Sequence, residues 1–191
     1  MRRKAYDARA AQPNKDELSA RICQQFMHLP AYQSARTVMW YVHCRSEVRT
    51  LRHLIEALEQ DKRIVVPYCT VNERGDNQLG LWHLENLDEL KPGKWNILEP
   101  PKQRWQDLKK SVLAMHLDLI MVPGVAFDRH GARLGNGAGY YDRLLIEVRE
   151  DCQLIGVCFE SQLHDEVIMD RFDIHMDQVL TEEEIYLGQG R

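Results

Sequence analysis

Residues 122–145, VPGVAFDRHGARLGNGAGYYDRLL, constrain the fold more than any other part of this 191-residue chain. The apolar run 117–122 reads as a buried strand, and glycines stand at 135, 137 and 139. A helix is expected from about 139 to 148. A glycine at every second position lets the backbone take φ > 0 and lets a ligand approach the main chain closely. A strand that feeds such a loop into a helix belongs to layered α/β folds, in which ligands gather at the carboxyl ends of strands. Arg133 adds a positive charge, and the helix points its positive end at the same place. Asp142, in the first turn, could hold the cation that accompanies a nucleoside triphosphate. The spacing itself matches neither the P-loop nor the dinucleotide fingerprint. The reading therefore leans on Arg133, Asp142, Arg143 and the paired Tyr140 and Tyr141, which offer stacking faces and hydroxyls. Either tyrosine taken singly is as well suited to packing against a sheet.

The rest of the chain alternates in the same way. Apolar residues at Leu18, Ile22, Phe26 and Leu29 predict a helix over 14–29, capped by Asn14 or Asp16 and stopped by Pro30. Strands are expected at 38–42 and 63–68, with a helix over 50–60 between them that carries Leu51, Leu54, Ile55 and Leu58 on one face. Strand, helix, strand in so short a span is a βαβ unit. Further strands are expected at 79–84, 154–159 and 178–180. The predicted architecture is α/β, a three-layer sandwich with a largely parallel central sheet, Rossmann-like, forming one domain over 1–191.

Composition narrows the functional classes. The chain is 44% hydrophobic and 28% charged, as soluble globular proteins are. No apolar run approaches the roughly 20 residues that span a bilayer, and MRRKAY is not followed by the apolar stretch of a signal peptide. A cytoplasmic protein without a membrane partner is expected, a monomer or weak dimer. The net charge of −4, with signs mixed along the chain, lacks the basic field of a nucleic-acid binder. Cys23, Cys44, Cys69, Cys152 and Cys158 form no C-x-x-C pair, so neither a zinc site nor a disulfide framework is indicated.

RLGNGAGYYDRLL, preceded by VPGVAFDRHG, resembles the signature of the 5-formyltetrahydrofolate cyclo-ligases, P-G-x-x-F-D-x-x-G-x-R-L-G-x-G-x-G-Y-Y-D. Pro123, Gly124, Phe127, Asp128, Gly131, Arg133, Leu134, Gly135, Gly137, Gly139, Tyr140, Tyr141 and Asp142 carry the match. YVHCRSEVRT, KWNILEPP and DIHMDQVLTEE are similar to the family as well. The resemblance implies a NagB/RpiA/CoA-transferase-like fold. It also implies ATP- and Mg²⁺-dependent closure of 5-formyltetrahydrofolate to 5,10-methenyltetrahydrofolate, with ADP and phosphate as the other products.

Carried over residue by residue, the resemblance gives Arg133, Leu134, Gly135, Asn136, Gly137, Ala138, Gly139, Tyr140 and Tyr141 to the ATP phosphates, with Arg133, Tyr140 and Tyr141 as the catalytic set. Asn136 to Tyr140 also face the folate, joined by Val42, Glu47 and Trp95. Val42 suits an ordinary core strand equally, and Trp95 a half-buried core position. Asp142 and Asp173 match two magnesium carboxylates, and Asp170 and Asp177 offer the same chemistry beside Asp173. Relatives begin with K-x-x-x-R on a first helix. Arg2 takes the place of that arginine, whereas the lysine would fall before Met1: either the start is truncated relative to those relatives, or Arg2, Arg3 and Lys4 meet the nucleotide in another register. Arg143 and Lys102 are candidates for a basic rim that receives the folate's glutamate tail. The competing reading is a noncatalytic folate- or nucleotide-binding protein on the same fold.

Overall fold

The apolar runs are buried on both faces, and that dictates the layering. In the computed structural model, which describes residues 1–170 and 173–191, the chain begins with α1 (Arg2–Ala11), α2 (Lys15–His28), α3 (Pro30–Ser34), β1 (Thr37–Met39) and α4 (Leu51–Leu58). It continues through β2 (Arg63–Val71), β3 (Asn77–His83), β4 (Lys91–Pro92), β5 (Leu98–Glu99), β6 (Leu119–Pro123), β7 (Ala126–Asp128) and β8 (Arg133–Leu134). The last elements are α5 (Tyr140–Glu147), β9 (Gln153–Val157), β10 (Leu163–His164), β11 (Gln178–Leu180) and β12 (Ile185–Leu187).

Side chains alternate across the sheet with the period of two that strands impose. Val38, Ile64, Val66, Leu119, Met121, Ile155 and Val157 pack with Ile22, Phe26, Tyr32 and Leu54 of α2, α3 and α4. Met39, Val65, Ile120, Val122, Leu154 and Val179 pack with Tyr140, Leu144 and Leu145 of α5. Burial on both faces is what a parallel sheet demands, and it explains why these strands read as continuous apolar runs. On the first face Phe26, Tyr32 and Trp40 meet edge to face, with centroids 5.1 to 6.3 Å apart.

The main sheet has the order β12-β11-β9-β6-β1-β2-β3. Its five inner strands are parallel, and β3 and β12 close the edges antiparallel. The three-layer, largely parallel arrangement expected from the sequence is the one observed. Strand order reverses between β1 and β6: the chain grows outward through β2 on one side and through β9 on the other. The crevice beyond the carboxyl ends of those two strands is the place where such sheets bind ligands.

Two expectations need correction. The strand expected over 38–42 leaves its ladder after Met39, because the Tyr41 carbonyl accepts a 2.6 Å bond from Thr50 Oγ1 and the chain turns toward the crevice. Pro30 does not merely stop α2; it opens α3 at the first helical position, where its missing N–H costs nothing. Two small ladders escaped the sequence reading: β10-β7-β8, which presents the glycine loop, and the β4-β5 hairpin.

Candidate active site

A cavity open to solvent occupies the crevice. One wall is the loop that follows β1. Tyr41 donates through its hydroxyl to the Val48 carbonyl at 3.0 Å, and the Cys44 N–H donates to Glu47 Oε2 at 2.9 Å. Glu47 is only 8% exposed yet lines the cavity. Burial pushes its carboxyl above the ordinary range, opposed by the Cys44 N–H and by the Arg9 and Arg45 charges. Arg9 reaches the same loop from α1: its Nη1 lies 3.7 Å from Glu47 Oε1, and its Nε donates to Ser46 Oγ at 3.1 Å. A dry carboxylate with an acceptor facing a cavity suits paired N–H donors on a flat heterocycle.

The glycine loop forms the opposite wall. Gly137 (φ +88°) and Gly139 (φ +70°) take left-handed backbone that other residues resist. The loop's carbonyls are tied outward. Gly135 accepts from Arg2 Nε at 3.1 Å, Ala138 accepts from Asn77 Nδ2 at 3.1 Å, and Arg143 Nη1 donates to Gly139 at 3.0 Å. Tyr6 donates its hydroxyl to Asn136 Oδ1. Among the described residues, the N–H groups of Asn136, Gly137, Ala138 and Gly139 donate to no carbonyl. Successive free N–H groups at a helix N-terminus make an anion-binding concavity. Arg133, 7% exposed, backs it: Nη1 donates to the Pro123 carbonyl at 3.3 Å, and Nη2 pairs with Asp142. Its guanidinium stands 5.7 Å from the Tyr141 ring centroid. Burial, then the Glu47 charge, push the Tyr141 phenol well above its usual range, so it remains a neutral donor.

A third wall comes from the turn between β4 and β5. Trp95 (φ +57°) and Asn96 (φ +62°) are both left-handed, a conformation that costs non-glycine residues roughly 1–2 kcal/mol each. That strain holds a 52% exposed indole over the cavity, edge-on to Tyr140 with centroids 6.4 Å apart. Lys94 Nζ donates to the Tyr140 hydroxyl at 2.9 Å. Behind this pair opens a side chamber lined by Lys91, Lys94, Lys102, Trp105 and Tyr140.

Of the residues singled out in the sequence, Val42, Glu47, Trp95, Arg133, Gly135, Asn136, Gly137, Ala138, Gly139, Tyr140, Tyr141 and Asp142 line one cavity. Arg2 touches the glycine loop from outside, through the Gly135 carbonyl. Leu134 packs into the small core around Val125 and Ala132 instead. Asp173 is not among the lining residues; its Oδ2 accepts the Asp170 N–H at 2.7 Å. Arg143 is turned onto loop carbonyls, while Lys102 lines the side chamber. Arg9, Tyr6 and Lys94 were missed, because none lies within the motif.

Among the described residues, no three His, Cys, Asp or Glu side chains form a metal-holding group. Mg²⁺ bound with a nucleotide takes only one or two protein carboxylates, the rest of its shell being phosphate and water. Asp142, with 33% of its side chain exposed beside the N–H groups of 136–139, fits that role, and in this structure it pairs with Arg133.

The fold and the cavity define a doubly wound α/β protein that brings an anion cradle and a buried carboxylate to one crevice. The family model described as the 5-formyltetrahydrofolate cyclo-ligase family matches residues 2–182, and the chain belongs to that family. It is 34% identical over 148 residues to the 5-formyltetrahydrofolate cyclo-ligase of Mycolicibacterium smegmatis, covering 78% of this chain and 74% of that one. It is 31% identical to the Saccharomyces cerevisiae enzyme of the same name, covering 83% and 82%. The solved structure of Aquifex aeolicus 5,10-methenyltetrahydrofolate synthetase superposes with a TM-score of 0.82 at 29% identity, over 100% of this chain and 92% of that one. No helix among the described residues is long and apolar enough to cross a membrane.

Proposed function

We propose that the protein closes 5-formyltetrahydrofolate to 5,10-methenyltetrahydrofolate at the expense of ATP, in the cavity between β1 and β6. One observation carries this reading: a buried carboxylate and a run of backbone N–H groups that donate to no carbonyl among the described residues line a single cavity. Glu47 accepts the pterin's amide and amino hydrogens, Val42 packs beside the ring, and Trp95 covers it. The N–H groups of Asn136 to Gly139 and the guanidinium of Arg133 take the triphosphate, and Arg2 steadies the loop. Bound with the nucleotide and held by Asp142, Mg²⁺ would neutralise phosphate charge; Asp173 is the second carboxylate we assign to it.

In the reaction the formyl oxygen attacks the γ-phosphorus and the bond to ADP breaks. The side-arm nitrogen then attacks the formyl carbon, its proton is lost, and the carbon–oxygen bond breaks to release phosphate. Both steps ask for alignment and charge neutralisation, not for a nucleophilic side chain. Tyr140 and Tyr141 donate hydrogen bonds at the junction of the two ligands, and Tyr140 is oriented by Lys94. The side chamber with Lys91, Lys94 and Lys102 suits the acidic tail of the folate. The residues that line the cavity come from one chain, in keeping with a monomer, and we assign the cytoplasm on the five free thiols.

The test is the absorbance of methenyltetrahydrofolate formed from 5-formyltetrahydrofolate, with ATP and Mg²⁺ together and with each withheld. Product only when both are present is expected. Tight folate binding without product would favour a noncatalytic folate-binding protein.

A further inference from the structure

Arg9 is 2% exposed, and removing a guanidinium from water costs several kcal/mol unless it is well partnered. Its short bonds go to neutral acceptors on the two loops that flank the crevice: Ser46 Oγ at 3.1 Å after β1, and the Gly124 carbonyl at 3.2 Å after β6. Glu47 Oε1 stands farther off, at 3.7 Å. Among the described residues Oε1 accepts no hydrogen bond, and Arg9 supplies its counter-charge. The same helix also grips the opposite wall, through Arg2 on the Gly135 carbonyl and Tyr6 on Asn136. The Tyr6 ring lies 5.1 Å from the Arg9 guanidinium.

We propose that Arg9 is a positioning residue for Glu47: fixed by Ser46 and Gly124, it keeps the carboxylate charged and turned toward a ligand that donates paired N–H groups. The proposal rests on the reading of this wall as the folate site. The titratable and charged groups around Glu47 are Arg9 from α1, Tyr41, Cys44 and Arg45 from the segment after β1, and Tyr141 from α5. Arg9 and Arg45 are the cations among them. Loss of Arg9 therefore moves the Glu47 carboxyl further above its ordinary range, and folate binding fails at higher pH than in the parent.

The experiment measures 5-formyltetrahydrofolate binding by tryptophan fluorescence and KM values for both substrates from pH 5 to 8, in the parent, Arg9→Leu, Arg9→Lys and Ser46→Ala. Arg9→Leu is expected to weaken folate binding and raise the folate KM about 10-fold, the scale of a lost charge-assisted hydrogen bond. Its acidic limb should move to higher pH, with the ATP KM changed less than about 2-fold, near the few tenths of a kcal/mol to which distant sites are independent. Arg9→Lys keeps the charge and should restore the acidic limb while recovering only part of the affinity. Ser46→Ala, which leaves both charges in place, should raise the folate KM by about 2- to 3-fold, as one neutral hydrogen bond is worth. It remains informative if Arg9→Leu does not fold. Lower melting temperature with unchanged folate affinity and pH profile in the folded variants would overturn the proposal. Failure of the parent itself to bind folate would instead overturn the reading of the site.

Discussion

The two facing walls of the cavity are built in opposite ways. The wall after β1 recognises with a side chain: Glu47 is nearly dry, its loop is fixed by Tyr41, Thr50 and Cys44, and its counter-charge comes from a buried arginine. The wall before α5 offers backbone: its side chains are mostly small, its carbonyls accept from Arg2, Asn77 and Arg143, and among the described residues its N–H groups at 136–139 donate to no carbonyl. A carboxylate discriminates between heterocycles because a missing donor leaves it unpaired in a dry site. A nest of amides is suited to any phosphate of the right reach and approaches it closely. The difference matches the two tasks: one ligand has to be selected, the other held in line.

Arg133 belongs to neither scheme, and its removal should break the comparison most severely. On the proposed reading Arg133 is a charge partner of the phosphoryl group, so Arg133→Ala is expected to lower kcat about 100-fold, as loss of a transition-state charge partner does. Steady-state kinetics at saturating folate and ATP would show it; a change in KM alone would make Arg133 a ground-state binder. A smaller effect is expected at Trp95, where a left-handed residue is tolerated to cover the cavity. Trp95→Gly should relieve the strain and raise stability by roughly 1 kcal/mol. The same change should raise the folate KM about 5-fold, through loss of the aromatic contact. Thermal unfolding and kinetics on one preparation would check both, and weaker binding without the gain in stability would refute the strain argument.

Much of this was legible in the sequence wherever one segment contains its own reason. Strands buried on both faces announce themselves as apolar runs, so β2, β6, β9 and β11 stand where the sequence puts them. The glycine loop was legible because φ > 0 leaves its mark in residue type, at Gly137 and Gly139. Trp95 and Asn96 adopt the same backbone region without glycine, so their turn was invisible. The end of β1 was misjudged because Thr50, distant along the chain, captures the Tyr41 carbonyl. Glu47 reached the reading only through resemblance, and Arg9 not at all. A lone arginine on a first helix carries no sign that it will be buried against a loop after β1.

If one cavity holds two ligands on two independent walls, their Michaelis constants respond separately to changes in each wall. Glu47→Gln keeps the shape of the first wall and removes its charge. Gly137→Ala keeps the chemistry of the second wall and opposes its φ of +88°; the added Cβ meets nothing closer than Arg2 Cζ at 3.6 Å. KM for 5-formyltetrahydrofolate and for ATP, followed by methenyltetrahydrofolate absorbance, should separate cleanly. Glu47→Gln should raise the folate value about 10-fold with ATP unchanged, and Gly137→Ala should raise the ATP value several-fold with folate nearly unchanged. Equal changes in both KM values in either variant would contradict the two-wall account.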